Sequence, residues 1–256
     1  MSLSVFPIQS SLKIDRFDLF ESLKSDLTNS GLKPENGDVI VISSKYVANY
    51  QGRYMEYQNV HPSSEAGIVA TKFHIKPKIA EIILRESDVI FGGIPGFVIT
   101  SSDYIMAPNA GIDKSNAKKG TIILYPTDPY RIAEQLRRQF LLTYQIHVGV
   151  IIADSRLMPA RTGTVGVAIA CAGIEPIADL RGKKDLYGNP LKVTFQAVAD
   201  DLASIANLKM GEGNEAIPAA LVRDAGVKLT DRRIREDEMA ISYDQCVYVR
   251  GLRTRI

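Results

Sequence analysis

His147-Val-Gly-Val-Ile-Ile-Ala-Asp154 is a short, strongly apolar stretch of the sequence that ends on a carboxylate. Because it is brief and rich in β-branched residues, it predicts a buried β-strand. Val39-Ile-Val-Ile-Ser43 and Ile217-Pro-Ala-Ala-Leu-Val222 have the same character and predict two further buried strands. Buried strands need a core around them, and a chain of 256 residues is long enough to provide one.

Outside these strands, the sequence changes between β and helical patterns. β patterns occupy residues 89–91, 96–100, 164–171 and 191–198, and helical spacing occupies residues 78–87, 130–144 and 199–210. The helix over 130–144 has the clearest start, because Asp128-Pro129 supplies a capping side chain followed by a proline in the first turn. Strands and helices mix without a regular βαβ rhythm, which favours an α+β fold.

The composition excludes several classes of protein. The 31 basic and 29 acidic residues nearly balance, which predicts no nucleic-acid partner and no membrane partner. Cys171 and Cys246 are too few for a disulfide framework or a four-ligand zinc site, and they fit a reducing compartment. The N-terminal residues lack a signal-peptide pattern, and the apolar runs are too short to span a bilayer. These features predict a cytoplasmic protein.

Three short polar segments carry the candidate chemistry, and each follows or interrupts an apolar element. They are Pro108-Asn-Ala-Gly-Ile-Asp113-Lys-Ser-Asn116, Ile151-Ile-Ala-Asp154-Ser155-Arg156 and Met210-Gly-Glu212-Gly-Asn214-Glu215. Carboxylates from separate loops are the oxygen ligands that Mg²⁺ or Mn²⁺ takes together with phosphate oxygens. Glycines beside them allow the backbone N–H groups to approach a phosphate. The segments therefore predict a metal site with Asp113, Asp154 and Glu212 as ligands.

Each segment also has an interpretation that involves no ligand. Asp113 can form an Asx turn, Asp154-Ser155 can cap a helix, and Met210-Gly-Glu212 can be a helix C-cap followed by a solvated carboxylate. Neither a Walker A loop nor a dinucleotide-binding glycine fingerprint is present in the sequence. Residue spacing alone leaves these alternatives open.

Four segments, taken in order, resemble the coenzyme F420-0:L-glutamate ligase family. The segments are Asn109-Ala-Gly-Ile-Asp113-Lys-Ser-Asn116, Asp154-Ser155, Gly182-Lys-Lys-Asp185-Leu-Tyr-Gly188 and Asn207-Leu-Lys-Met-Gly-Glu-Gly213. The resemblance extends from Val5 to about Val222, which is most of the chain. It implies the mixed-sheet, two-part fold of these F420 γ-glutamyl ligases. We expect a ligase domain over residues 1–225, with its division into subdomains left open, and a C-terminal tail over residues 226–256.

The resemblance also implies an activity. Members of this family use GTP to join L-glutamate to a carboxyl group of a coenzyme F420 precursor through an acyl phosphate, and they act as homodimers. By matching positions, the expected ligands of Mg²⁺ or Mn²⁺ are Asp113, Asp154, Ser155 and Glu212. The positions expected to contact the nucleotide are Ser44, Lys45, Asn116, Met210, Gly211, Gly213 and Asn214. No catalytic residue is assigned beyond these.

The sequence departs from the family pattern in its nucleotide-binding half. Asn49 stands where the family usually has a lysine, and Gln51 stands where it has a glutamate. An asparagine supplies no positive charge to a phosphate, although the nearby Lys45 could supply one. Two alternatives to the ligase on an F420 precursor therefore remain. One is a paralogue that acts on another carboxylated substrate, such as a folate-like pterin. The other is a nucleotide- or phosphate-binding module without turnover.

Overall fold

The computed structural model describes residues 2–13, 16–102 and 104–253. The chain forms two compact units, each built from two segments. The first unit draws its described residues from Met1–Asn59 and Ile112–Ile234, and the second from Val60–Gly111 and Arg235–Ile256. The expected division into a domain over 1–225 and a tail over 226–256 stays a prediction.

The described residues form both helices and strands throughout the chain. The strands are β1 (Ser4–Ile8), β2 (Val39–Ser43), β3 (Tyr54–Glu56), β4 (Val89–Ile94), β5 (Phe97–Ser102), β6 (Ile105–Pro108), β7 (Thr121–Ile123), β8 (Gly149–Leu157), β9 (Thr164–Ala172), β10 (Ala178–Asp179), β11 (Phe195–Gln196) and β12 (Ala219–Arg223). The helices are α1 (Leu19–Asn29), α2 (Ser44–Gln51), α3 (Ser64–Phe73), α4 (Pro77–Glu86), α5 (Pro129–Tyr144), α6 (Val198–Met210) and α7 (Val247–Arg253). Within the described ranges, no helix is long and apolar enough to cross a membrane.

The core of the first unit is a five-stranded sheet with the order β1-β12-β2-β8-β9. The neighbours β2 and β8 run parallel, and the other neighbouring pairs run antiparallel. The strand predicted at residues 39–43 is β2, whose residues from Val39 to Ile42 are fully buried. Burial of these four side chains explains the continuous apolar run, because neither face of the strand meets water along it. The mixed sheet confirms the predicted α+β class.

Helix α6 packs on this sheet with very little space between their backbones. At Gly166 of β9, a Cβ atom would lie 2.3 Å from the backbone oxygen of Ala203 and 2.7 Å from Cβ of Asn207. The helix turns Ala199, Ala203 and Ala206 into the interior. Small residues on both surfaces therefore fix the distance between α6 and the sheet.

The helix predicted over residues 130–144 is present as α5, but the predicted cap at its start is wrong. Pro129 does occupy the first turn, as predicted. Asp128 has φ 48° and ψ 49°, and its side chain makes no capping hydrogen bond. A capping side chain reaches the free N–H groups of the first turn from an extended backbone, which Asp128 does not have. Its carboxylate instead accepts a 3.4 Å hydrogen bond from Arg131.

The β pattern predicted over residues 191–198 is largely wrong. Only Phe195–Gln196 forms a strand there, and α6 already begins at Val198. The side chain of Val193 is 82% exposed. An alternating pattern that does not face a core has nothing to hold it in a longer strand, which is why this segment stays irregular.

The second unit combines the antiparallel sheet β4-β5-β6 with helices α3 and α4. Glu81 of α4 is a buried charged residue of this unit. One carboxylate oxygen accepts a 2.8 Å hydrogen bond from the backbone N–H of Ser63, and the other accepts 2.8 Å from Arg85 Nε. The side chain and backbone of Ser63, and then Arg85, lower the pKa of Glu81 from 4.5 to about 2.

The stability of this unit should depend on the charge of Glu81. Because its folded-state pKa lies below the value of the unfolded chain, its stabilising effect is present above pH 4.5 and is lost as the pH falls to about 2. We expect the unfolding temperature of Glu81→Gln to fall less over this interval than that of the parent protein. Circular dichroism melts at stepped pH measure this. Glu65→Gln, at an exposed position of the same unit, is the control and should keep the parent's slope.

Candidate active site

The carboxyl end of β2 lies beside the middle of the parallel strand β8, which continues past Asp154 to Leu157. Ser43, the last residue of β2, pairs with Ala153 of β8, so the residues that follow them, Ser44 and Asp154, are also neighbours. Ser44 begins α2, and its Oγ donates a 2.5 Å hydrogen bond to Asp154 Oδ1. The parallel pairing therefore joins two predicted site residues that are separated by 110 positions in sequence.

Asp113 is held beside the same helix. Its backbone forms a bridge with Ile123 of β7, and its Oδ2 lies 2.7 Å from Lys45 Nζ. The backbone N–H of Ser115 donates to Asp113 Oδ1 at 2.6 Å, so the Asx turn that the sequence allows is also present. Burial raises the pKa of Asp113, but Lys45 and the Ser115 N–H outweigh this effect, and the pKa lies below its ordinary value. The carboxylate is therefore ionised at neutral pH.

Glu212 follows the end of α6 and accepts hydrogen bonds at both carboxylate oxygens. Ser155 Oγ donates to Oε2 at 3.1 Å. Thr164 Oγ1 and Asn207 Nδ2 donate to Oε1 at 3.1 and 2.9 Å. Glu212 is thus oriented by three neighbouring side chains rather than merely solvated. Sequence reasoning gave no role to Thr164 or Asn207, although Asn207 opens one of the segments that carry the family resemblance.

The segments that carry the three carboxylates are joined into a closed ring by an ion pair and hydrogen bonds. Asn116 Nδ2 donates a 3.0 Å hydrogen bond to the backbone oxygen of Gly213, which joins the loop of Asp113 to the loop of Glu212. We call this the contact ring, and its members are Asp113, Asn116, Ser44, Lys45, Asp154, Ser155, Glu212 and Gly213. All of them belong to the first unit.

A buried arginine that sequence reasoning missed adjoins this ring. Arg156 is 6% exposed, and its Nη1 lies 3.0 Å from Asp154 Oδ2. Its Nη2 donates to Tyr125 Oη at 2.8 Å, and its guanidinium carbon lies 5.1 Å from the centre of the Tyr125 ring. A signal was available, since Arg156 stands two positions after Asp154 in a strand, and alternate strand residues share a face.

Comparison with known proteins decides the family. The family model described as F420-0:Gamma-glutamyl ligase matches residues 13–224. The chain belongs to the F420-0:gamma-glutamyl ligase family. It is 36% identical over 227 residues to the coenzyme F420:L-glutamate ligase of Archaeoglobus fulgidus, covering 89% of this chain and 90% of the relative. Its identity to the enzymes of the same name is 40% over 200 residues in Methanopyrus kandleri and 39% over 203 residues in Methanocaldococcus jannaschii. These cover 78% and 79% of this chain, and 79% and 81% of the relatives.

The contact ring contains oxygen donors of the kind that bind a hard divalent cation. Asp113, Asp154 and Glu212 offer carboxylate oxygens, and Ser155 offers a hydroxyl oxygen, which are the donors that Mg²⁺ and Mn²⁺ take. In the part of the chain that the structure describes, no three His, Cys, Asp or Glu side chains are grouped closely enough to hold a metal ion. The carboxylates instead have separate protein partners, so a metal that joins them must draw these side chains together.

The loop after α6 is shaped around Gly211 and Glu215. Gly211 has φ 77° and ψ 177°, and a Cβ there would lie 2.5 Å from the carboxyl carbon of Glu215. The N–H of Gly213 donates to Glu215 Oε2 at 2.8 Å. Met210 is buried at the end of α6, while Asn214 is exposed. Of these residues, the structure brings Gly213 directly into the contact ring through its bond with Asn116.

The departure of this F420 ligase family member at Gln51 has a structural explanation. Gln51 Nε2 donates to the backbone oxygen of Thr127 at 2.7 Å, and its Oε1 accepts from the Thr127 N–H at 2.9 Å. A glutamate in this position can accept but cannot donate. Asn49, the other departure, is half-buried near the end of α2, where its backbone oxygen accepts from Gly52. Gln51 therefore fastens α2, which carries Ser44 and Lys45, to the segment after β7.

Restoring the usual family residue at this position should weaken the protein. We expect Gln51→Glu to lower the free energy of unfolding by about 1 kcal/mol, because one hydrogen bond is lost and a carboxylate is placed against a carbonyl oxygen. Urea unfolding followed by circular dichroism measures the change. Gln135→Glu makes the same substitution at an exposed position of α5 and should leave the unfolding midpoint nearly unchanged. Equal effects at the two positions would contradict a specific role for Gln51.

Proposed function

We propose that this protein is a GTP- and divalent-metal-dependent ligase that joins L-glutamate to a carboxyl group of a coenzyme F420 precursor. The contact ring carries this proposal, because it brings three carboxylates, two hydroxyls and a lysine from four separate segments to the place where β2 ends beside β8. Membership of the family supports the reaction, since the relatives compared above are named coenzyme F420:L-glutamate ligases. We further propose that the enzyme acts in the cytoplasm, as its composition predicts, and as a homodimer, as the family resemblance implies.

Asp113, Asp154, Ser155 and Glu212 are the residues that we propose hold Mg²⁺ or Mn²⁺. When bound, the metal neutralises phosphate charge and aligns the reacting oxygens. The protein prepares these ligands by orienting them, since Ser44 fixes one oxygen of Asp154, and Thr164 and Asn207 fix one oxygen of Glu212. Oriented ligands lose less entropy when they bind an ion.

The nucleotide has a separate set of proposed contacts beside these ligands. They are Ser44, Lys45, Asn116, Met210, Gly211, Gly213 and Asn214. Lys45 supplies the positive charge for phosphate oxygens that Asn49 does not supply. Lys45 lies in the first turn of α2, where backbone N–H groups are free of helical partners and favour anions. Asn116 and the loop after α6 would enclose the rest of the nucleotide.

The proposed reaction has two steps, phosphoryl transfer to the acceptor and then amide formation. A carboxylate oxygen of the acceptor attacks the γ-phosphorus of GTP, which forms an acyl phosphate and releases GDP. The amine of L-glutamate then attacks the acyl carbon, loses a proton to water and expels inorganic phosphate, which leaves an amide. Lys45 stabilises the negative charge that moves between phosphate oxygens.

A survey of nucleotides, with and without Mn²⁺, tests the binding half of this proposal. We expect GTP to raise the unfolding temperature only when Mn²⁺ is present, and ATP to raise it less. Incubation with GTP, Mg²⁺, L-glutamate and the F420 precursor should then give a glutamylated product and GDP, detected by mass spectrometry. The absence of both products, with GTP still bound, would leave another acceptor, such as a folate-like pterin, or a binding module without turnover.

A further inference from the structure

Arg156 connects Asp154 to a different part of the contact ring. Its partner Tyr125 stands two residues after Ile123, and Ile123 forms the backbone bridge that holds Asp113. The short segment from Ile123 to Tyr125 therefore reaches Asp113 through the main chain. The same segment reaches Asp154 through Arg156, which contacts both the Tyr125 hydroxyl and the Asp154 carboxylate.

The guanidinium group of Arg156 is not oriented so that all of its N–H groups form hydrogen bonds. Arg156 Nε is buried and has no hydrogen-bond partner. A buried N–H without an acceptor costs free energy, so the guanidinium group holds this orientation at the expense of one of its own hydrogen bonds. The observed placement instead gives Nη1 to Asp154 and Nη2 to the Tyr125 hydroxyl.

We infer that Arg156 is a positioning residue, which together with Tyr125 fixes the plane of the Asp154 carboxylate. This inference rests on the proposed function, in which both carboxylates bind the metal. Ser44 holds Oδ1 of Asp154 and Arg156 holds Oδ2, so both oxygens are constrained. Side chains that orient metal ligands contribute about 10- to 100-fold to metal affinity.

The inference is tested with two variants of different severity. Arg156→Lys keeps the positive charge but loses the planar fork that spans Asp154 and Tyr125. Tyr125→Phe removes one hydroxyl and keeps the ring under the guanidinium, so it is expected to fold. The readout is the Mn²⁺ concentration that gives half-maximal binding of GTP, followed by fluorescence of a labelled nucleotide. We expect it to rise about tenfold in Arg156→Lys and by a smaller factor in Tyr125→Phe, with the affinity for GTP at saturating Mn²⁺ unchanged.

Arg223→Lys is the matched control for a purely structural effect. Arg223 also pairs with a buried aspartate, Asp38, and lies against an aromatic ring, that of Phe6, but Asp38 precedes β2 and lies at its opposite end. This variant should lower the unfolding temperature and leave the Mn²⁺ requirement unchanged. If Arg156→Lys and Tyr125→Phe behave in the same way as Arg223→Lys, the positioning role is overturned and the ligase proposal stands. If the parent protein shows no Mn²⁺-dependent binding of GTP, both are overturned.

Discussion

Asp154→Asn is expected to lower ligase turnover by at least about 100-fold, because loss of even an outer partner of a metal ligand costs about 10- to 100-fold in metal affinity or activity. The amide keeps the size of the carboxylate and can still accept from Ser44, but it removes the negative charge that a divalent cation requires. It also leaves Arg156, which is 6% exposed, without its counter-charge. Turnover is measured from GDP release at saturating GTP and L-glutamate.

The control for Asp154→Asn must remove a carboxylate from an arginine elsewhere. Asp237 lies 3.1 Å from Arg235 Nε and is outside residues 13–224, the range matched by the family model. Asp237→Asn is expected to keep the parent's turnover. A circular dichroism melt of both variants shows whether they are folded at the assay temperature. A folded Asp154→Asn with near-parent turnover would refute the assignment of Asp154.

Gly166→Ala is expected to lower the free energy of unfolding by about 2 to 3 kcal/mol, at the upper end of the cost of overpacking. The added Cβ would lie 2.3 Å from the Ala203 oxygen, and both groups are held by backbone, so β9 and α6 must separate. Asn207 lies in the same contact and holds Glu212 through a 2.9 Å hydrogen bond. Turnover should therefore fall in the fraction that stays folded.

Gly67→Ala is the matched substitution with the opposite expected sign. Gly67 lies within α3, has no atom within 4 Å of an added Cβ, and is not among the glycines with positive φ. Alanine in a helix interior is favoured over glycine by about 0.5 to 1 kcal/mol, so this variant should be more stable than the parent. Urea unfolding measures both variants. A Gly166→Ala protein as stable as Gly67→Ala would contradict the close contact between β9 and α6.

The buried strands could be predicted from the sequence because their pattern is local. Residues 39–42 of β2 are apolar throughout, and this strand is buried between two neighbours in the sheet. The contacts of the site are not local. Lys45 and Asp113 lie on different segments, and their 2.7 Å ion pair follows from how β7 is placed against α2. Local spacing therefore identified Asp113, Asp154 and Glu212 as separate candidates, and the resemblance to a family was needed to predict a common site.

The missed features depend on backbone conformation and on partners that are distant in sequence. Asp128 is a residue type that commonly caps helices, but it has a left-handed backbone and its side chain makes no capping hydrogen bond. Arg156 resembles an ordinary polar residue of a half-exposed strand until Tyr125, 31 positions earlier, is placed against it. Gln51 looked like a loss of family function, whereas its amide forms two hydrogen bonds with Thr127. Each case required the tertiary fold.

The fate of the acceptor's carboxylate oxygen tests the proposed ligase reaction most directly. The F420 precursor is prepared with heavy oxygen in its free carboxylate and incubated with the enzyme, GTP, Mg²⁺ and L-glutamate. An acyl-phosphate route predicts a glutamylated product and one labelled oxygen in each inorganic phosphate released, because the attacking carboxylate oxygen leaves with phosphorus. Absence of a glutamylated product, or unlabelled phosphate beside it, would contradict the proposed reaction.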